Sequence, residues 1–152
     1  FMLNQKYLGI GYGSMNFDIK LKNPAFDFHI IFSKETDGLN YARCLEFDLL
    51  SYGKSLEESC ANLLKELAEF VLVNIEQNTI NKIFDFTADK SYWTKYNSIK
   101  KQITIDTLNK VKAYKNQKEN FVIVKDPAMK IAFDFGTVKI AMKETWLIDT
   151  AA

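Results

Sequence analysis

A capped, amphipathic helix constrains this chain more than any other feature. From Leu56 onward, apolar residues recur at spacings of three and four: Leu56, Cys60, Leu63, Leu64, Leu67, Phe70, Val71 and Ile75. Glu57, Lys65, Glu66, Glu69 and Glu76 fill the remaining face. That period is helical, and so wide an apolar stripe has to be buried against another layer. Ser55-Leu56-Glu57-Glu58 fits a capping box, in which the Ser55 hydroxyl accepts from the Glu58 N–H and the Glu58 carboxylate reaches back to the Ser55 N–H. Both acids also sit at the positive end of the helix dipole. The spacing predicts a helix over about 56–76.

The covering layer is written upstream. Phe26, Phe28, Ile30 and Phe32 alternate with Asp27, His29, Ile31 and Ser33, which predicts a strand with a Phe-rich core face and His29 on the other side. Asp37-Gly38 supplies hairpin chemistry within the turn 34–40. Tyr41, Arg43, Leu45 and Phe47 then alternate with Ala42, Cys44, Glu46 and Asp48, and Leu49–Lys54 reads as a short third strand ending at Gly53. Nearer the N-terminus, Phe17, Ile19 and Leu21 alternate with Asp18, Lys20 and Lys22 as a further strand, closed by Asn23-Pro24. Gly9-Ile10-Gly11-Tyr12-Gly13-Ser14 reads as a glycine-rich turn. It lacks the spacing and the strand and helix flanks with which a phosphate loop aims its amides.

Beyond the helix, residues 79–86 read as a strand with Ile80, Phe84 and Phe86 inward. Two short helices follow, one over 88–102 with Tyr92, Trp93, Tyr96 and Ile99, the other over 106–116 with Leu108, Val111, Ala113 and Tyr114 and with Asp106 as its cap. Phe121–Val124, Lys130–Phe135 and Thr137–Trp146 read as a three-stranded meander whose second connection turns at Gly136. The expected fold class is α+β: an antiparallel sheet packed against a long amphipathic helix, followed by two short helices and a C-terminal strand meander. Residues 1–80 and 81–152 form two segments with no linker between them, expected to belong to the same compact domain.

The chemistry-bearing residues are few. Cys44 and Cys60 form no C-x-x-C pair, and with His29 as the single histidine the chain cannot supply four Cys/His ligands to a structural zinc. Both thiols are expected as small buried hydrophobes, and no cofactor is expected. No apolar run reaches the length of a membrane span, and a reduced, cytoplasmic setting is the simplest expectation.

Charge is divided unevenly. Residues 1–80 hold 7 basic and 11 acidic side chains, and residues 81–152 hold 13 and 8. Over 82–118 there are 9 Lys against 3 Asp, interleaved with Tyr92, Trp93, Tyr96 and Tyr114. Lys95, Lys100, Lys101, Lys110, Lys112 and Lys115 are therefore the candidate patch for nucleic acid or an acidic partner, set against a plain solvated helix face. Arg43, the one arginine, lies outside that segment, so bidentate reading of a base or phosphate has no residue there, and nucleic-acid binding is expected to be weak or absent.

The order strand, Asp-Gly turn, strand with a Cys, short strand, Gly and capped helix resembles the HicB-like antitoxin domains. The resemblance is carried by Phe28–Gly38, by Tyr41-Ala42-Arg43-Cys44-Leu45-Glu46 and by Gly53-Lys54-Ser55-Leu56-Glu57-Glu58-Ser59, within about 26–77. It implies a partial ribonuclease-H-like βββαβ unit without nuclease activity. It also implies a role in binding a small basic partner protein, a HicA-like RNA-cleaving toxin, and self-association as a homo-oligomer. Asp37, Glu46 and Asp48 are the candidate partner-contacting acids. The function expected is a non-catalytic protein-binding module. One alternative is a metal-dependent nucleic-acid hydrolase, for which Asp27, Asp37, Glu46 and Asp48 are the available carboxylates, while a Ser-His-Asp or Cys-His arrangement would have to use His29. Another is a structural or regulatory homo-oligomeric protein.

Overall fold

The computed structural model describes residues 5–18, 24–117 and 129–148, with the side chains of 106–117 excepted. Six strands and three helical segments follow in the order β1 (Lys6–Phe17), β2 (Ala25–Lys34), β3 (Asn40–Cys44), β4 (Leu49–Gly53), α1 (Leu56–Glu76), a 3-10 helix η1 (Ile80–Phe86), α2 (Lys90–Gln117), β5 (Ala132–Asp134) and β6 (Val138–Leu147). The strands form one antiparallel sheet in the order β4-β3-β2-β1-β6-β5. β1 is thus central, and strands from both ends of the chain share the sheet. The α+β class holds: an antiparallel sheet carries a long amphipathic helix.

Helix α1 forms where its cap and stripe place it. Ser55 has extended backbone and its hydroxyl accepts from the Glu58 N–H at 3.0 Å. Cys60, Leu63, Leu64, Leu67, Ala68 and Val71 are buried against Phe28, Ile30, Phe32, Ala42 and Cys44 of the sheet. At the far end Asn78 takes a positive φ of 58°, and Thr79 donates its N–H to the Asn74 carbonyl, which stops the helix. Ser55→Ala is expected to cost about 1 kcal/mol by orphaning a first-turn N–H, read as a lower melting temperature.

The glycine run is not a turn. It lies in the middle of β1, with Gly13 opposite Phe28 and Gly11 opposite Ile30 on β2. A Cβ on Gly11 would meet the Phe32 ring at 3.2 Å, and one on Gly13 would meet the Phe28 ring at 2.6 Å. The glycines give two phenyl rings of the next strand the space to lie across β1 on the α1 side. The strand expected over 17–22 ends at Phe17 as far as it is described, and residues 19–23 lie outside the described residues.

Three further expectations change. Residues 80–86 coil as a 3-10 helix rather than extending as a strand. Ile83 is inward, while Phe84 and Phe86 are 53% and 54% exposed. The two short helices are one: α2 runs unbroken from Lys90 to Gln117, with Asp106 inside it and Asp89 capping it through the Ser91 N–H at 3.0 Å. The second strand reaches only to Cys44, because residues 45–48 turn, sending Leu45 to the α2 side of the sheet and Phe47 to the α1 side. Of the expected meander, β5 and β6 form the hairpin turned at Gly136, whose φ is 80°; Phe121–Val124 lies outside the described residues.

The second face of the sheet is covered by the first half of α2. Tyr92, Trp93, Tyr96, Ile99 and Ile103 pack on Tyr7, Ile10, Ile31, Leu45 and Trp146. The sheet is therefore sandwiched between α1 and α2. Among the described residues, no helix is long and apolar enough to cross a membrane.

Candidate functional site

The three acids nominated from the sequence do not come together. Asp37 sits in the β2–β3 turn, at one end of β3, whereas Glu46 and Asp48 sit in the β3–β4 turn at the other. Each is engaged within the chain. The Asp37 carboxylate accepts from the Tyr41 hydroxyl at 2.6 Å and from the Leu39 N–H at 2.9 Å. Those bonds hold its carboxyl below the usual carboxylate range, and the bond to Asp37 pushes the Tyr41 phenol up to about 12. Asp48, at a positive φ of 52°, pairs with Arg43 at 2.6 Å, and the Arg43 guanidinium lies 4.2 Å over the Tyr92 ring.

Glu46 is the most heavily used carboxylate. One oxygen accepts from the His29 N–H at 2.7 Å and from the Cys44 thiol at 3.8 Å, and the other lies 2.7 Å from His29 Nδ1. The turn after β3 is thereby tied back onto β2. Around the imidazole stand the rings of Tyr12, Trp93 and Tyr96 at centroid distances of 6.2, 6.1 and 5.4 Å, with Trp146 stacked beyond Tyr12. Burial, then the nearby Glu46 carboxylate, pushes the Tyr96 phenol up to about 12. Burial also pushes the Cys44 thiol well above its ordinary range, so it stays protonated and donates. With Nδ1 committed to Glu46, the imidazole keeps Nε2 on a side chain about one-third exposed (35%). Sequence reading placed His29 on the correct face but did not foresee this partner, because only the turn at 45–48 brings Glu46 back to it. Among the described residues, no group of three or more His, Cys, Asp and Glu side chains is placed to hold a metal ion.

The lysine patch is likewise not gathered. Lys95 lies 4.7 Å over the Tyr7 ring, while Lys100 and Lys101 are exposed. At 3.6 residues per turn these three point about 100° or more apart around the helix. Lys110, Lys112 and Lys115 fall where side chains are not described.

A different surface presents exposed apolar groups. Phe84 packs on Phe26 and Phe47 at centroid distances of 5.4 Å each, and Phe86 sits edge-on to Phe70 at 6.0 Å. The two rings continue the core out to solvent, Phe86 resting on Phe70 of α1. This cluster was missed from sequence because the strand expected there turned both rings inward. The signal that locates it is the three-residue step from Ile80 to Ile83, the period of a 3-10 turn.

Comparison with protein-family models, with curated proteins and with solved structures returns no match to this chain.

Proposed function

We propose that this chain is a non-catalytic protein-binding module of the HicB-like antitoxin kind, acting on a small partner protein. The observation that carries the reading is the Phe84–Phe86 surface: two phenyl rings, each more than half exposed, seated on Phe26, Phe47 and Phe70. Clustered exposed aromatic side chains mark contact surfaces, whereas singly scattered apolar ones need no explanation. Support also comes from the order β2-β3-β4-α1, which follows the βββα part of the unit implied by the resemblance. The acids first nominated for partner contact are less suited, since Asp37, Glu46 and Asp48 already have partners within the chain. A reduced, cytoplasmic setting suits two free, buried thiols. Self-association belongs to the same reading, with β4 as an outer strand that exposes Leu50 and Tyr52.

Co-expression with each small protein encoded beside it tests this. A neighbour is expected to co-elute with the chain, and Phe84→Ser with Phe86→Ser is expected to abolish co-elution while leaving the circular dichroism spectrum intact. If no neighbour co-elutes, or if the double variant retains its partner fully, the reading is lost. Light scattering on the same fractions reports the oligomer.

A further inference from the structure

We infer that Asp37-Gly38 is a latent isomerisation site, kept in its ordinary peptide linkage by the Tyr41 hydroxyl; the inference is independent of the protein-binding reading. The chemistry is intramolecular. The Gly38 nitrogen attacks Asp37 Cγ: an N–C bond forms, a C–O bond breaks, and the amide proton leaves with the carboxyl hydroxyl as water. Water then opens the five-membered imide at either carbonyl. Opening at the Asp37 main-chain carbonyl leaves the backbone running through the side-chain carbon, one methylene longer. Sequence and exposure favour the reaction here. Asp37-Gly38 is the one Asp-Gly step in the chain, and glycine carries no side chain to hinder its own nitrogen. Both residues are exposed, so water reaches them. Gly38 takes a φ of 81°, and among the described residues nothing lies within 4 Å of a Cβ built on it, so the turn has room for the ring.

The hydrogen bonds oppose it. Asp37 Oδ1 accepts from the Leu39 N–H at 2.9 Å and Oδ2 from the Tyr41 hydroxyl at 2.6 Å, so both carboxylate oxygens are engaged. Two donors favour the anion, which has no hydroxyl to lose. The Gly38 N–H meanwhile donates to the Glu35 carbonyl at 3.0 Å, so its nitrogen is not free to release the proton. Closing the imide ring has to break this set. Tyr41 is the member whose donor comes from a paired strand and not from the turn itself. Its place is set from β3, directly opposite Tyr52 of β4, with ring centroids 5.8 Å apart. The extra backbone atom would fall in the turn that fixes the β2–β3 register from Lys34 opposite Asn40 onward.

The experiment incubates the full chain at neutral pH and body temperature over weeks and locates isoaspartate by mass spectrometry of the peptide that carries Asp37. The same chain unfolded in urea supplies the unprotected rate, and the native chain is expected to isomerise well below it. Tyr41→Phe removes one oxygen from a half-buried ring. It is expected to raise the native rate at least about threefold, the worth of one hydrogen bond exposed to water, with the circular dichroism spectrum unchanged. Tyr52→Ala, which takes away the ring beside Tyr41, is expected to move the rate in the same direction by less. Adding Gly38→Ala to Tyr41→Phe should slow the reaction again, because a methyl group crowds the attacking nitrogen. A native rate equal to the rate in urea overturns the inference. So does a native rate that Tyr41→Phe and Tyr52→Ala both leave where it was.

Discussion

Gly13→Ala is expected to lower the melting temperature by roughly 10 °C, from a loss of about 3 kcal/mol in a chain of this size. The reason is packing on two sides at once. A Cβ on Gly13 would collide with the Ala141 carbonyl of β6 and would lie 2.6 Å from the Phe28 ring of β2. Neither neighbour has room to retreat. The carbonyl belongs to the backbone of a paired strand, and the Phe28 ring is fully buried beneath α1. Gly38→Ala is the contrast. Gly38 has a φ of 81° and open space around it, so alanine there costs only about 1 kcal/mol of backbone strain. Denaturant unfolding of the two variants should separate by about 2 kcal/mol. Adding Phe28→Leu to Gly13→Ala should cost less than the two changes summed, because the smaller side chain gives the new methyl part of the space it needs. Equal, small losses at Gly13 and Gly38 would show that the β1 glycines answer to backbone freedom and not to the rings across the strand.

That glycine run also shows what a sequence can and cannot display. Helix α1 was legible because its information is local: Ser55, Glu58 and an apolar stripe lie within one helix and point to one outcome. The β2–β3 hairpin was legible for the same reason, with Asp37-Gly38 between two alternating runs. The role of Gly11 and Gly13 is set by Phe32 and Phe28, which reach them only once β2 pairs with β1, so the run by itself looked like a turn. Helix α2 was split in two because its apolar stripe, Tyr92, Tyr96, Ile99 and Ile103, would next need positions 106 and 110, which are Asp and Lys. The backbone continues regardless, since no Pro or Gly interrupts 90–117. In residues 79–86, alternation of Phe84 and Phe86 imitated a strand while Ile80 and Ile83 carried the period that prevailed. The candidate docking surface was hidden by that one misread period.

Regional charge was visible but its use was not. The acidic excess of residues 1–80 singled out Asp37, Glu46 and Asp48 by proximity in the chain. In the fold those three serve turns and a core-edge network: Asp37 accepts from the Tyr41 hydroxyl, Glu46 holds His29 and Asp48 pairs with Arg43. Charge counts do not reveal which acids already have partners. That distinction depends on short contacts made by turns, and it moves the candidate interaction surface to the other face of the sheet.

Glu46→Ala is expected to cost about 3 kcal/mol, because it strips an acceptor from three donors at once, each worth about 1–3 kcal/mol when left unpaired away from water. The His29 N–H and the His29 imidazole both lose the oxygen they hold at 2.7 Å, and the Cys44 thiol loses its acceptor as well. The Glu46 side chain is only 13% exposed, so water cannot easily replace it. Glu46→Gln keeps an oxygen for the His29 N–H and should cost about 1 kcal/mol, the net worth of the weakened bond to the ring. Asp48→Ala removes the other ion pair of the same turn, but Asp48 is 45% exposed and its pair with Arg43 is screened, so a loss of at most about 1 kcal/mol is expected. Urea unfolding gives the ranking, and amide hydrogen exchange at His29 gives the site: its protection should collapse in Glu46→Ala and persist in Asp48→Ala. The Tyr12, Trp93 and Tyr96 rings meet at His29, and Leu45 of the same turn accepts from the Ala88 N–H just before α2. Freeing the turn should therefore loosen the first turns of α2 as well, seen as faster exchange at Tyr92 and Trp93. If Glu46→Ala instead leaves stability and exchange unchanged while weakening co-elution of a partner, Glu46 is a contact residue after all, and the network around His29 is not what holds the β3–β4 turn in place.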